Sequence, residues 1–179
     1  MSKHVLVIST SPRKGGNSDT LADQFVRGAQ QAGHQVEKVT LYDKTIGFCK
    51  GCLSCQNTQH CIIHDDAETI AQKMLTADVI AFATPIYYYG MCGQMKTMLD
   101  RANPLFPADY QFRDIYLLAA AAEEEEHTVD GAVTGLQGWI DCFEKARLAG
   151  TVFAGGVTTV GEIQNHPALE QAYELGKHV

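Results

Sequence analysis

Short apolar runs, each suited to burial on both faces, alternate along the chain with segments of helical spacing. The first run is His4–Ser9, HVLVIS. After a Gly/Ser/Pro turn, Ser18–Ala32 places Leu21, Phe25, Val26 and Ala29 on one side of a helix, and Gly33 ends it. Gln35–Leu41 alternates as a second strand. A helix over Asp66–Thr76 follows, with Asp65 or Asp66 as its N-cap and Glu68 in its first turn. Asp78–Ala83 is a third strand, ending at Thr84-Pro85, and Gly93–Asn103 a helix. Asp114–Ala121 is a fourth strand and Thr134–Ala149 a helix; Thr151–Gly156 is a fifth strand, and Pro167–His178 closes the chain as a helix. Such alternation predicts an α/β fold: a doubly wound parallel sheet of five strands, helices on both faces, one domain over residues 1–179. The strand order expected is 2-1-3-4-5, which puts a ligand beyond the carboxyl ends of strands one and three. The loops after Ile8, Ala83 and Ala121 are therefore the ones to examine.

Composition narrows the function. A net charge of -7, from 14 Lys and Arg against 21 Asp and Glu, argues against a nucleic-acid partner, which requires a basic face. No apolar run reaches the roughly 18 to 20 residues of a membrane helix, and the N-terminus carries no signal-peptide pattern. A cytoplasmic location with no membrane partner is the expectation.

The loop after strand one reads Ser9-Thr10-Ser11-Pro12-Arg13-Lys14-Gly15-Gly16-Asn17-Ser18 and runs into a helix. A helix start offers unpaired N–H groups and the positive end of a dipole. Ser11, Asn17 and Ser18 add short polar side chains, Thr20 joins from the first turn, and Arg13 and Lys14 add charge. Neither the Walker nor the Rossmann glycine pattern is present, so a phosphate monoester fits better than a nucleoside triphosphate. A well-capped turn with no ligand is the competing reading. After strand three, Thr84-Pro85-Ile86-Tyr87-Tyr88-Tyr89-Gly90 supplies flat apolar surface and backbone donors for a planar ring, although a tyrosine there also serves to fill a core. Asp100-Arg101 reads first as an internal ion pair.

Four of the six cysteines lie close together: Cys49, Cys52, Cys55 and Cys61, spaced C-x2-C-x2-C-x5-C within a loop of about residues 47–64. Four thiolates at this spacing suit an iron–sulfur cluster or a tetrahedral zinc ion, and equally a redox dithiol or a set of reduced thiols lining a pocket. The spacing does not choose among them. His60 and His64 flank the loop. Cys92 and Cys142 stand alone and read as buried structural thiols.

Taken together, Ser-Pro-Arg-x-x-Gly-Asn-Ser after strand one, Cys61-x3-Asp65-Asp66, Pro85-Ile86-Tyr87, Lys96, Asp100-Arg101 and Gly161-Glu162-Ile163 resemble the NAD(P)H-dependent FMN reductase branch of the flavodoxin-like proteins. Within it the chain is similar to the iron–sulfur flavoproteins. The resemblance implies FMN as cofactor, with Ser11, Arg13, Asn17 and Ser18 on its phosphate and Ser9 and Thr20 in the same binding set. It places Pro85, Ile86, Tyr87, Tyr88 and Gly90 along the isoalloxazine, with the residues around Ala120–Glu123 at its far side. The run Glu123–Glu126 is too acidic for a flavin contact and reads as a solvated turn. The resemblance further implies NAD(P)H as electron donor and a quinone, an aromatic compound, a flavin or a redox protein as acceptor. It implies a homodimer or homotetramer, and, conditional on the cysteines binding one, a [4Fe-4S] cluster. An electron carrier exchanging electrons with a ferredoxin-like protein is the alternative.

Overall fold

The computed structural model describes residues 1–179. In chain order the elements are β1 (His4–Ser9), α1 (Asn17–Gln31), β2 (Gln35–Thr40), α2 (Cys55–Thr58), α3 (Asp66–Thr76), β3 (Val79–Tyr87), β4 (Gly90–Met91), α4 (Gly93–Arg101), β5 (Asp114–Ala120), α5 (Asp130–Ile140), β6 (Arg147–Ala154) and α6 (Ala168–Lys177). Single 3-10 turns occupy Asn103–Leu105 and Glu126–Val129. The sheet has six strands in the order β2-β1-β3-β5-β6, and β4 pairs only with β3.

Alternation along the central strands builds two cores. Val5 and Val7 of β1, with Val79, Ala81 and Ala83 of β3, pack on Leu21 and Phe25 of α1 and on α6. Leu6 and Ile8, with Ile80 and Phe82, face Ile70 and Met74 of α3, Met95 and Met98 of α4, and Leu136 of α5. Helices α1 and α6 meet backbone to backbone. A Cβ on Gly28 would run into the Tyr173 carbonyl, and one on Gly176 into that of Phe25.

Five expectations need correction. The five-strand order 2-1-3-4-5 becomes 2-1-3-5-6, because an extra strand, Gly90–Met91, folds back on the end of β3. Strand β3 does not stop at Thr84-Pro85. Proline disfavours an interior strand position, yet pairing with β5 runs to Pro85↔Ala120, and Ile86 and Tyr87 then pair with β4. Helix α5 spans 130–140 rather than 134–149, and β6 begins at Arg147 rather than Thr151. After Ile140 the chain turns so that Phe143 enters an aromatic cluster with Tyr110, Phe112 and Trp139. Arg147 then meets Asp114 of β5 at 2.8 Å, where the two strands come into register. Lastly, Cys142 is exposed; only Cys92 of the two lone thiols is buried.

Candidate functional site

The site begins with the turn between β1 and α1. Ser11 Oγ donates to the Arg13 carbonyl at 2.8 Å and accepts from the Arg13 N–H at 3.2 Å, closing a tight loop. Gly15 sits at φ 64°, where a side chain would be strained. A Cβ on Gly16 would come within 2.5 Å of Ser11 Oγ and 3.2 Å of the Arg13 carbonyl, so a side chain there would displace the Ser11 hydroxyl from this turn. Asp19 faces the loop: its carboxylate accepts from the Gly15 N–H, pairs with Lys38 at 2.7 Å and lines the cavity next to Ser9. The Arg13 side chain is exposed and has no partner within the protein.

A cavity of about 130 Å³ opens beside this turn. Ser11, Arg13, Asn17 and Ser18 line one side of it, Pro85, Ile86 and Tyr87 another, and Ala120, Ala121, Ala122, Val157 and Thr158 the rest. These are the carboxyl ends of β1, β3 and β5, together with the loop after β6. Ser9, Ser11, Arg13 and Lys14 also line an adjoining cavity of about 220 Å³, closed on its far side by Thr40, Tyr42 and Asp43. The Ser9 Oγ, Ser18 Oγ and Asn17 Oδ1 atoms are buried with no hydrogen-bond partner. Buried polar atoms without partners are uncommon in folded proteins and mark a place where a ligand completes the set. The free Ser18 hydroxyl, the Arg13 guanidinium and the start of α1 around one cavity, with the Ser9 hydroxyl in the adjoining one, are donors of the kind a phosphate monoester requires. The residues present therefore fit FMN.

Not every expected residue joins this cleft. Thr20 donates to the Gly16 carbonyl at 3.2 Å and serves the helix start. Tyr88 stands wholly in solvent, and Gly90 lies beyond the cavity lining. Tyr88 and Tyr89 form a two-residue hairpin turn with φ 49° and 62°. This hairpin rests on α5, where a Cβ on Gly131 would strike the Tyr89 carbonyl. In the sequence, the loop after β6 offers only Gly161-Glu162-Ile163 as part of the resemblance, with no role at the site. Glu162 Oε2 accepts from the Thr158 and Thr159 N–H groups at 2.6 and 2.8 Å, which brings that loop over Asn17. These bonds, with the Thr159 hydroxyl, hold the Glu162 carboxyl below its usual range. The acidic run Glu123–Glu126 is exposed throughout.

The four cysteines share the lining of a small cavity of about 20 Å³. Cys49 and Cys52 are exposed, Cys61 is half-buried, and Cys55 is buried with its Sγ accepting from Asn103 Nδ2 at 3.1 Å. Left-handed residues at Gly51 and Leu53 reverse the chain between them. No three His, Cys, Asp or Glu side chains come together in a way that could hold a metal ion. As arranged, the thiols do not fit a cluster or a zinc ion. Backbone and side-chain hydrogen bonds from Ser54 lower the Cys52 pKa. His60 and His64 both turn to Glu68, at 3.3 and 3.1 Å, rather than to the sulfurs.

Arg101 ties down the base of this loop. Its partner is not Asp100, which pairs with Lys96 at 2.6 Å. Its side chain is wholly buried and grips Asp65 through two bonds, Nη1 at 2.7 Å and Nη2 at 2.9 Å. The same guanidinium donates to the carbonyls of Gly47 and Ile63, one at each end of the loop. Asp65 in turn caps α3 through the Ala67 N–H and accepts from Gly47. Burial works against the Asp65 charge, but the Arg101 bonds and the two N–H donors outweigh it and hold the carboxyl below its usual range.

A parallel sheet of this order, with a phosphate-type loop after β1 and a cleft at the switch between β1 and β3, defines a flavodoxin-like α/β protein. Residues 4–156 match the family model described as NADPH-dependent FMN reductase, and the chain belongs to that family. It is 28% identical over 188 residues to YwqN of Bacillus subtilis, described as an NAD(P)H-dependent FMN-containing oxidoreductase; the match covers 97% of this chain and 96% of that protein. It is 35% identical over 94 residues to an iron–sulfur flavoprotein of Archaeoglobus fulgidus, covering 52% of this chain and 43% of that protein. The chain spans about half the length of the curated iron–sulfur flavoproteins it matches. In fold it superposes on an azoreductase of Bacillus anthracis with a TM-score of 0.74 at 17% identity, over 100% of both chains.

Proposed function

We propose that the protein is an FMN-dependent oxidoreductase that takes electrons from NAD(P)H and passes them to a small acceptor: a quinone, an azo- or nitro-aromatic compound, or free flavin. One observation carries this reading. The cleft at the β1–β3 switch brings the polar Ser11–Ser18 turn within one cavity of the flat Pro85–Tyr87 segment. Bound FMN would supply the hydride-accepting and electron-donating chemistry. The chain's part is to bind and orient. Arg13 and Ser18 hold the phosphate end, Pro85, Ile86 and Tyr87 back the ring, and the Ala120–Ala122 turn leaves its far side free of charged side chains. Hydride transfer needs no protein acid or base, so no catalytic side chain is assigned. A homodimer in which a second copy covers the open ring suits so shallow a cleft, and a cytoplasmic setting suits a nicotinamide donor.

Steady-state oxidation of NADH and NADPH by the flavin-loaded protein, with a quinone, an azo dye and free FMN as acceptors, tests the proposal. Turnover with at least one acceptor is expected. The cysteine loop and the iron–sulfur flavoproteins among the relatives point to one competing reading, an electron carrier. A bound flavin that is bleached by reduced ferredoxin but not by either nicotinamide would establish the carrier instead.

A further inference from the structure

Asn17 opens helix α1 and is 3% exposed. Its Nδ2 donates to the Thr159 carbonyl at 3.0 Å. A carbonyl only accepts, so the amino edge of the amide must face Thr159 and the oxygen must face away from it. That oxygen is buried and has no partner in the protein. Thr159 is itself held in place. The Thr158 and Thr159 N–H groups donate to the Glu162 carboxylate, and the Glu162 N–H donates back to the Thr159 carbonyl at 3.1 Å. Glu162 thus fixes a carbonyl, and the carbonyl fixes which way the Asn17 amide is turned.

An amide oxygen needs a donor. A phosphate monoester is largely a dianion near neutral pH, its second pKa being about 6, and has little proton to offer. Ser18 and Arg13 can donate to it; Asn17 Oδ1 cannot. We propose that Asn17 reads a hydroxyl of the flavin's ribityl chain rather than the phosphate, and that Glu162 is the positioning residue that turns the Asn17 amide for this task. The inference rests on the flavin reading above. It divides the loop between two parts of one ligand: Arg13 and Ser18 select the phosphate, and Asn17 the polyol next to it.

The test compares three flavins by fluorescence titration of the apoprotein: FMN, riboflavin (no phosphate) and lumiflavin (neither phosphate nor ribityl chain). Asn17→Ala is expected to weaken FMN and riboflavin alike, by roughly threefold to tenfold for one lost hydrogen bond, and to leave lumiflavin unchanged. Arg13→Ala is expected to weaken FMN alone. Glu162 is exposed, so its variants keep the fold even if Asn17→Ala does not. Glu162→Ala should reproduce the Asn17 pattern, and Glu162→Gln, which still presents an accepting oxygen to both N–H groups, should restore affinity. Loss of FMN binding with riboflavin untouched in Asn17→Ala would make Asn17 a phosphate ligand and overturn the proposal. So would a Glu162→Ala variant with unchanged affinity for both. A wild-type protein that binds none of the three refutes the flavin reading itself, and the inference with it.

Discussion

Arg101 shows how much one side chain can organise. It is wholly buried, it satisfies two backbone carbonyls and it meets Asp65 with both terminal nitrogens. Removing one partner of such a pair strands the other, a loss of about 3–5 kcal/mol. Arg101→Ala should lower unfolding stability by that order in urea titration. Arg101→Lys should recover little, because a point charge cannot reproduce the fork. At the cysteines, Cys52 is exposed and its thiol is shifted toward the thiolate by Ser54, whereas Cys92 is buried against Thr10. Brief labelling with iodoacetamide followed by peptide mass spectrometry should modify Cys52 before Cys92 by a wide margin. Equal labelling would contradict the burial seen here. The Asp100-Arg101 dipeptide stood out in the sequence, but its partner did not. Asp65 is 36 positions away, and only the packing of α4 on the start of α3 brings the two together.

At the level of elements, the β3–β4 hairpin and the cysteine loop each depend on a local device. Two adjacent tyrosines in the left-handed region cost about 1–2 kcal/mol each, and the structure keeps them where the turn needs both residues at positive φ. Tyr88→Asn with Tyr89→Gly should raise the melting temperature by several degrees. Gly131→Ala should lower it, because its Cβ meets the Tyr89 carbonyl. The base of the cysteine loop has a pH dependence with a definite sign. Asp65 in the fold titrates below its unfolded value of about 3.9. The stabilisation is therefore complete above that value and is lost as the pH falls through the folded value. Amide exchange in the segment 47–63 should be flat from neutral pH down to about pH 4, after allowance for the intrinsic rate, and rise below it. The strands, α1 and α3 were legible in the sequence because two-sided burial and capping residues leave local marks. The two-residue strand β4, the early end of α5 and the loop after β6 were not. The last two are set by distant contacts, Phe143 with Tyr110 and Phe112 and Thr159 with Asn17, and β4, at two residues, is too short to show an alternating pattern.

For the molecule as a whole, the sheet order places three loops and the turn after β6 around one cleft, and the family to which the chain belongs is one of flavin reductases. The side of the cleft formed by the β1–α1 turn was readable from the Ser9–Ser18 segment alone, since its polar residues are contiguous. The lining contributed by Ala120–Ala122 and by Val157–Thr158 was only half readable, because small apolar residues carry no chemical signature until the fold assembles them. On the proposed function this cleft holds a flavin that nicotinamide can reduce. The most direct measurement is to load the protein with FMN, mix it with NADPH and then with NADH under anaerobic conditions, and follow the flavin absorption band. Bleaching by at least one of the two, followed by recovery on adding a quinone, is the predicted result; a bound flavin that neither nicotinamide bleaches would contradict the account.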